Sequence, residues 1–226
     1  MPKVENEKRS EKSNGWGGGQ LFGTESNENT FQGAGFKDKE KAQETIRLLT
    51  GRDVTYQYQI INSMYNRAKV ILRRTTDKEK RKNLGEAIET FEAWIDDYKS
   101  HNRAKDNFSY LPLEIVEAYK PLADHHGIED TGFLQAYKDV EGDLKNLRNK
   151  KIPDREVTWD VERNACLKPM STKIKEEFIQ LYETDEPLRG LPTKEHVEMI
   201  MWAYSGDMTK VKKCIPLISE KIGAKE

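Results

Sequence analysis

Three groups of residues in this sequence have types and spacings that can do chemistry. Asp124-His125-His126 sets a carboxylate beside two imidazoles, with Glu129 and Asp130 close behind, and these are the oxygen and nitrogen donors that divalent metals take. A second group lies on one helical face, where Gln59, Asn62, Asn66, Lys69 and Arg73 recur every three or four residues. Arg67 and Arg74 flank that face, and Lys78, Lys80, Arg81 and Lys82 follow it. Amide side chains pair with base edges and cations with phosphates, so the face has the composition of a groove-reading helix. The third group is Cys166, Cys214 and His196, the remaining candidates for nucleophilic or metal chemistry.

Each group also has a structural use. Adjacent histidines on a helix point about 100° apart, unlike an i, i+4 pair that grips one metal, and at a helix C-terminus they complement the dipole. Solvated helix faces are commonly built from Gln, Asn, Lys and Arg, Glu79 and Glu86 dilute the cations, and Asn62 with Asn66 can bond backbone groups. Cys214 lies among Val211, Ile215 and Ile218, the setting of a small buried hydrophobe, and neither cysteine stands beside a histidine. Asp96-Asp97 is accounted for by solvation at an exposed helix end.

Asp124-His125-His126 is similar to the motif that names the DHH phosphoesterases. That resemblance implies a metal-dependent hydrolase, with further carboxylates from other segments holding two metals. In that family the motif follows a buried strand, whereas here it follows the helical run Tyr119 to Ala123. Gly17-Gly18-Gly19-Gln20 contains the tripeptide with which peptide-release factors reach a ribosomal catalytic centre. Ala203 to Asp207 followed by Val211 is similar to part of one ankyrin unit, without the Thr-Pro-Leu-His signature of that family. Each likeness spans a few residues. No glycine-rich phosphate-cradling sequence follows a strand.

The elements that must position these groups are helices. Hydrophobic residues make up 35% of the chain and charged residues 34%, the balance of long amphipathic helices with one solvated face. A net charge of -1 gives no global attraction to nucleic acid or to an anionic membrane, so such binding needs a local patch. Two isolated cysteines suit a reducing compartment, and neither a signal peptide nor a membrane-spanning run is present, so the expected setting is intracellular, cytoplasmic or nuclear.

Residues 1–35 read as a disordered tail, in which Trp16, Leu21 and Phe22 are candidate docking anchors. From Phe36 the helical period takes over. Asp38 caps a helix carrying Ala42, Ile46 and Leu49 that stops at Gly51, and Asp53 caps the next, from Val54 to Arg74. That helix places Ile61, Met64, Tyr65, Ala68, Ile71 and Leu72 on one stripe. Thr76 and Glu79 have the spacing of a capping box and open a third helix with Leu84, Ala87, Ile88, Phe91, Trp94, Ile95 and Tyr98 inward. A fourth helix begins at Pro112, bends at Pro121 and ends at Gly127.

Beyond it the pattern predicts a short helix at 133–140, a basic loop at 145–151 closed by Pro153, and a brief strand candidate at 155–159. A helix marked by Ile174, Phe178, Leu181 and Tyr182 follows, then one capped by Thr193, and a last one after Asp207 interrupted by Pro216.

The expected architecture is all-α: an antiparallel helical bundle over 36–127, a smaller helical lobe over 128–226 packed on it, and a disordered N-terminal tail over 1–35. The expected function is a non-enzymatic protein-interaction module with a docking tail, needing no cofactor or metal. The alternatives are a nucleic-acid-binding accessory protein using Gln59, Asn62, Asn66, Arg67, Lys69, Arg73, Arg74 and Arg81, and a metal-dependent hydrolase around Asp124-His125-His126. For the first of these, Lys69, Arg73, Arg74 and Arg81 are expected to project away from the core, so that their loss leaves folding intact.

Overall fold

Asp38 opens the first helix by accepting the Lys41 amide hydrogen at 2.8 Å, and α1 runs Lys39–Leu49. It stops at a turn where Gly51 takes φ +84, a conformation that disfavours any side chain. A Cβ there would also meet Val161 at 3.0 Å, so this turn lies close against a distant segment. α2 follows over Val54–Arg74 and α3 over Lys78–Ser100, joined by three residues, which makes them antiparallel neighbours. The computed structural model describes residues 31–223. The expectations for Trp16, Leu21, Phe22 and the Gly17–Gln20 run lie outside those residues.

α1 and α2 both pack on α3. The predicted stripes are buried there: Ile61, Met64 and Ala68 from α2, and Leu84, Ala87, Ile88, Phe91, Ile95 and Tyr98 from α3. Two details differ from the sequence reading. Asp77, not Thr76, caps α3, accepting the Lys80 amide at 2.9 Å, because a carboxylate one residue closer to the helix replaces the predicted box. Trp94 is half-buried, stacked on Tyr98 at 5.6 Å between centroids and 5.1 Å from the Arg103 guanidinium. Trp94→Ala is therefore expected to cost only about 1 to 2 kcal/mol, below the range for a fully buried ring. Urea unfolding checks this, and a loss above about 3 kcal/mol would mean that the ring is core.

After a 3₁₀ turn at Arg103–Asp106, the single helix expected from Pro112 is two short ones, α4 (Leu113–Ala118) and α5 (Lys120–His125). The break falls at Tyr119, and Pro121, which has no amide hydrogen to give, occupies the first turn of α5. α6 spans Phe133–Asp139. The predicted basic loop contains one helical turn, α7 (Leu144–Leu147), because Asp143 caps it through the Lys145 amide at 2.8 Å. The strand candidate reduces to a single bridge between Lys151 and Thr158.

α8, Trp159–Glu176, departs most from the sequence pattern, which predicts a helix around Ile174 to Tyr182. Its inward face holds Trp159, Asp160, Arg163 and Leu167, two of them charged, and Pro169 lies inside it, so no apolar stripe announces it. Phe178, expected in the core, is 85% exposed with φ +53. It stands where a helix-terminating glycine is usual, and the Ile179 amide closes the end on the Ile174 carbonyl at 3.1 Å. α9 spans Lys194–Met201 and α10 Met208–Ile222, with Pro216 accommodated inside the latter instead of interrupting it.

The large apolar cluster begins at Leu111 and gathers residues of α4 to α10. Phe133, fully buried, touches the rings of Tyr137, Trp159 and Trp202 at its centre. A smaller cluster of Ala68, Leu84 and Ile88 lies between α2 and α3. α4 and α5 thus pack with the large cluster, although their sequence position groups them with the bundle. The architecture is all-α, and from Gly33 onward the chain forms one compact unit. Among the described residues no helix is long and apolar enough to cross a membrane.

Candidate functional site

The eight residues proposed for binding separate by what their side chains do. Gln59, Asn66, Arg67, Arg73, Arg74 and Arg81 are exposed, while Asn62 and Lys69 are half-buried. Asn66 donates its side-chain amide to the Asn62 backbone carbonyl at 2.8 Å, so the Asn66 side chain is turned to its own helix. Lys69 donates to the Tyr65 hydroxyl at 3.1 Å and lies 4.6 Å from that ring, and Tyr65 in turn donates to Glu92 at 2.9 Å. The Arg67 guanidinium is 5.7 Å from the Phe36 ring centre. Arg81 donates to the carbonyls of Leu72 at 2.9 Å and Thr75 at 3.0 Å. It therefore caps the C-terminus of α2, which corrects the expectation that its loss leaves folding untouched.

What remains for a partner is the end of the α2–α3 hairpin. Arg73 and Arg74 close α2, and Lys78, Lys80, Arg81 and Lys82 fill the first turns of α3. All six are exposed, and Arg73, Arg74 and Lys78 have no partner among the described residues. Only Asp77 and Glu79 oppose them between Arg73 and Lys82, leaving a net charge of +4, and the Asp77 carboxylate is engaged in the cap. The cations on α3 stand at the positive end of its dipole, while Glu86, Glu89, Glu92, Asp96 and Asp97 follow toward the negative end. Each such placement costs about 0.3 to 1 kcal/mol at a surface, so local helix stability does not explain it.

A second polar assembly was missed by sequence reasoning. Asp53 occupies the cap position of α2 but makes no cap bond. Its carboxylate instead lies 3.5 Å from both Arg148 and Arg163. Arg163 is fully buried and donates to the carbonyls of Trp202 at 2.8 Å and Ala203 at 3.1 Å, with its guanidinium 3.6 Å from the Tyr110 ring centre. Asp160, also fully buried, accepts from Arg52 at 2.8 Å and from the Thr158 hydroxyl at 2.6 Å. Burial pushes the Asp160 carboxyl up, with Arg52 opposing, and holds Arg163 below its ordinary value. Three arginines and two aspartates thus join the start of α2 to α7, α8 and the segment after α9. No motif betrays them, and only the charged residues at inward positions of α8 could have done so.

His196 is buried, and its Nδ1 faces the Leu181 carbonyl at 2.9 Å. A carbonyl only accepts, so Nδ1 carries the proton and Nε2 accepts from the Ser205 hydroxyl at 2.9 Å. This is a nucleophile–base contact in kind. Ser205 is nevertheless buried, and its oxygen also receives the Asp207 amide at 3.2 Å, so the pair fastens the turn between α9 and α10. Asp124 and His125 are exposed at the end of α5, Asp124 is paired with Lys120, and His126 is half-buried. Among the described residues no group of three His, Cys, Asp or Glu side chains is placed to hold a metal. Cys214 is buried and donates to the Gly190 carbonyl at 3.4 Å, and burial raises its thiol.

Burial also lowers His196 and His126 below the usual imidazole value. The folded state then binds fewer protons than the unfolded state, so stability is full above the unfolded pKa of about 6.5 and is lost as pH falls below it. The urea midpoint should drop between pH 7.5 and 5.5, and by less in His196→Asn. A midpoint rising over that interval would contradict the assignment.

Fold and surface together define an all-α protein with a basic hairpin end and a buried ionic junction. No family model matches the chain, and no curated protein matches it in sequence.

Proposed function

We propose that this protein is a non-enzymatic helical interaction module that docks an acidic partner protein on the basic end of α2 and α3. The observation that carries the reading is the cluster of exposed Arg73, Arg74 and Lys78, unpaired among the described residues, on a hairpin whose charge order opposes the helix dipole of α3. The geometry favours a protein over a nucleic acid. Asn66 is bonded to its own helix, and Lys69 and Arg67 lie against Tyr65 and Phe36, which leaves cations for phosphates but few groups for base edges. In this reading the segment holding Trp16, Leu21 and Phe22 supplies a second, apolar docking element. The free thiols Cys166 and Cys214 suit a cytoplasmic or nuclear setting.

The test is capture from native cells on the full chain and on Arg73→Glu/Arg74→Glu/Lys78→Glu, with and without nuclease. The expected result is a protein partner that survives nuclease, is released by salt and is absent with the variant. Loss of the partner on nuclease treatment would replace this reading with the nucleic-acid one.

A further inference from the structure

Arg73-Arg74-Thr75-Thr76 places two arginines three and two residues before a threonine. Protein kinases that select basic substrates recognise a hydroxyl residue in this setting, because their acidic clefts pair with guanidinium groups at those positions. Four threonines among the described residues have an arginine three residues earlier, and their environments separate them. Thr50 donates its hydroxyl to the Ile46 carbonyl at 3.3 Å, and Thr158 donates to Asp160 at 2.6 Å. Thr55 lies within the first turn of α2, with Asp53 at the second position before it. Thr76 alone has both arginines, is exposed, lies outside any helix and has a hydroxyl with no partner among the described residues.

The backbone suits presentation. Thr75 has φ -89 and ψ 139 and Asp77 has φ -62 and ψ 121, so the threonine is held between extended residues. Arg73 and Arg74 belong to the last turn of α2, where few bonds must open for an extended peptide to enter a kinase cleft. Those bonds are the last intrahelical ones, from the Arg73 and Arg74 amides, with the Thr75 amide on the Ile71 carbonyl and the two that Arg81 makes to Leu72 and Thr75.

We propose that Thr76 is the phosphoryl acceptor of a basophilic Ser/Thr kinase, and that its modification switches off docking at the hairpin end. In the transfer Thr76 Oγ1 attacks the γ-phosphorus of ATP. The new oxygen–phosphorus bond replaces the bond to the bridging β–γ oxygen, the hydroxyl proton passes to the carboxylate base of the kinase, and ADP leaves. The phosphate adds about -2 of charge beside Arg73, Arg74, Lys78 and Arg81, so the net +4 of the hairpin end falls to about +2. It also stands at the start of α3, where an anion is stabilised, and its oxygens can pair with the arginines that otherwise meet the partner.

The regulatory half of this inference rests on the docking reading above, and the experiment separates the two. The full chain is incubated with ATP and cyclic-AMP-dependent kinase, and the product is mapped by mass spectrometry. One phosphate on Thr76 is expected, absent in Thr76→Val and formed at least about ten-fold more slowly in Arg73→Ala/Arg74→Ala. Absence of phosphate under conditions that modify a control peptide, or a phosphate elsewhere with Thr76 untouched, overturns the assignment. Binding to polyglutamate at low salt is then compared between the two forms, and the phosphorylated one should bind about ten-fold more weakly. Equal binding by both forms overturns the switch. Binding by neither overturns the docking reading and the switch together, while the mass spectrum alone decides the acceptor.

Discussion

Replacing Arg163 by alanine is expected to lower the free energy of unfolding by about 3 to 5 kcal/mol, the cost of leaving a buried ionic group without its partner. The guanidinium has no exposed surface, and it serves the Trp202 and Ala203 carbonyls and the Asp53 carboxylate at once. Its loss strands the Trp202 carbonyl, leaves the Ala203 carbonyl only the Leu111 amide, and takes from Asp53 one of its two cations, in a buried site. Arg163→Met keeps much of the volume and removes the charge, so it separates the electrostatic part from the cavity. Urea unfolding of both variants is the measurement. A cost below about 1 kcal/mol for each would show that the junction is not what ties the start of α2 to α8.

Phe133→Ala is expected to be of similar size, about 3 to 5 kcal/mol, by a different route. The ring has no exposed surface and meets three other aromatic rings, Tyr137, Trp159 and Trp202, at centroid distances of 5.7, 6.2 and 5.2 Å. Truncation leaves a cavity among rigid rings that cannot collapse into it. Stability of an ordinary domain is only about 5 to 15 kcal/mol, so either change removes much of it. Combining Phe133→Ala with Arg163→Ala tests their independence. Both groups reach the same segment, through Trp202, so a cost for the pair that departs from the sum would report coupling through that residue.

These two residues also mark how far the sequence could be read. α1 to α3 were legible because each carries apolar residues at helical spacing on its buried face, and Asp38 and Gly51 stand where a helix begins and ends. The same rules failed on α8, whose inward positions include Asp160 and Arg163, because periodicity counts apolar residues and cannot know that a charge is paired. Asp53 is instructive in the same way. Its type and place announce a cap, and the chain does start a helix there, but the carboxylate is drawn to Arg148 and Arg163, far away in sequence. Arg81 shows the converse, a residue that looks like free surface charge until its bonds to Leu72 and Thr75 are seen. The basic hairpin end itself was legible, since Arg73 to Lys82 are neighbours in the chain and the short turn only folds them together. Which of its cations are spare was not legible, because pairing is settled by side-chain geometry.

The most direct test of the docking account is the affinity of the purified full chain for polyglutamate, measured from about 50 to 200 mM salt beside Arg73→Glu/Arg74→Glu/Lys78→Glu. All three positions are exposed and unpaired among the described residues, so the variant should unfold at nearly the same urea concentration as the native chain. The account predicts that the native chain binds, that its affinity falls steeply with salt, and that the variant binds at least about ten-fold more weakly with a shallower salt dependence. Equal affinity of the two proteins for polyglutamate, or no binding by the native chain at 50 mM salt, would contradict it.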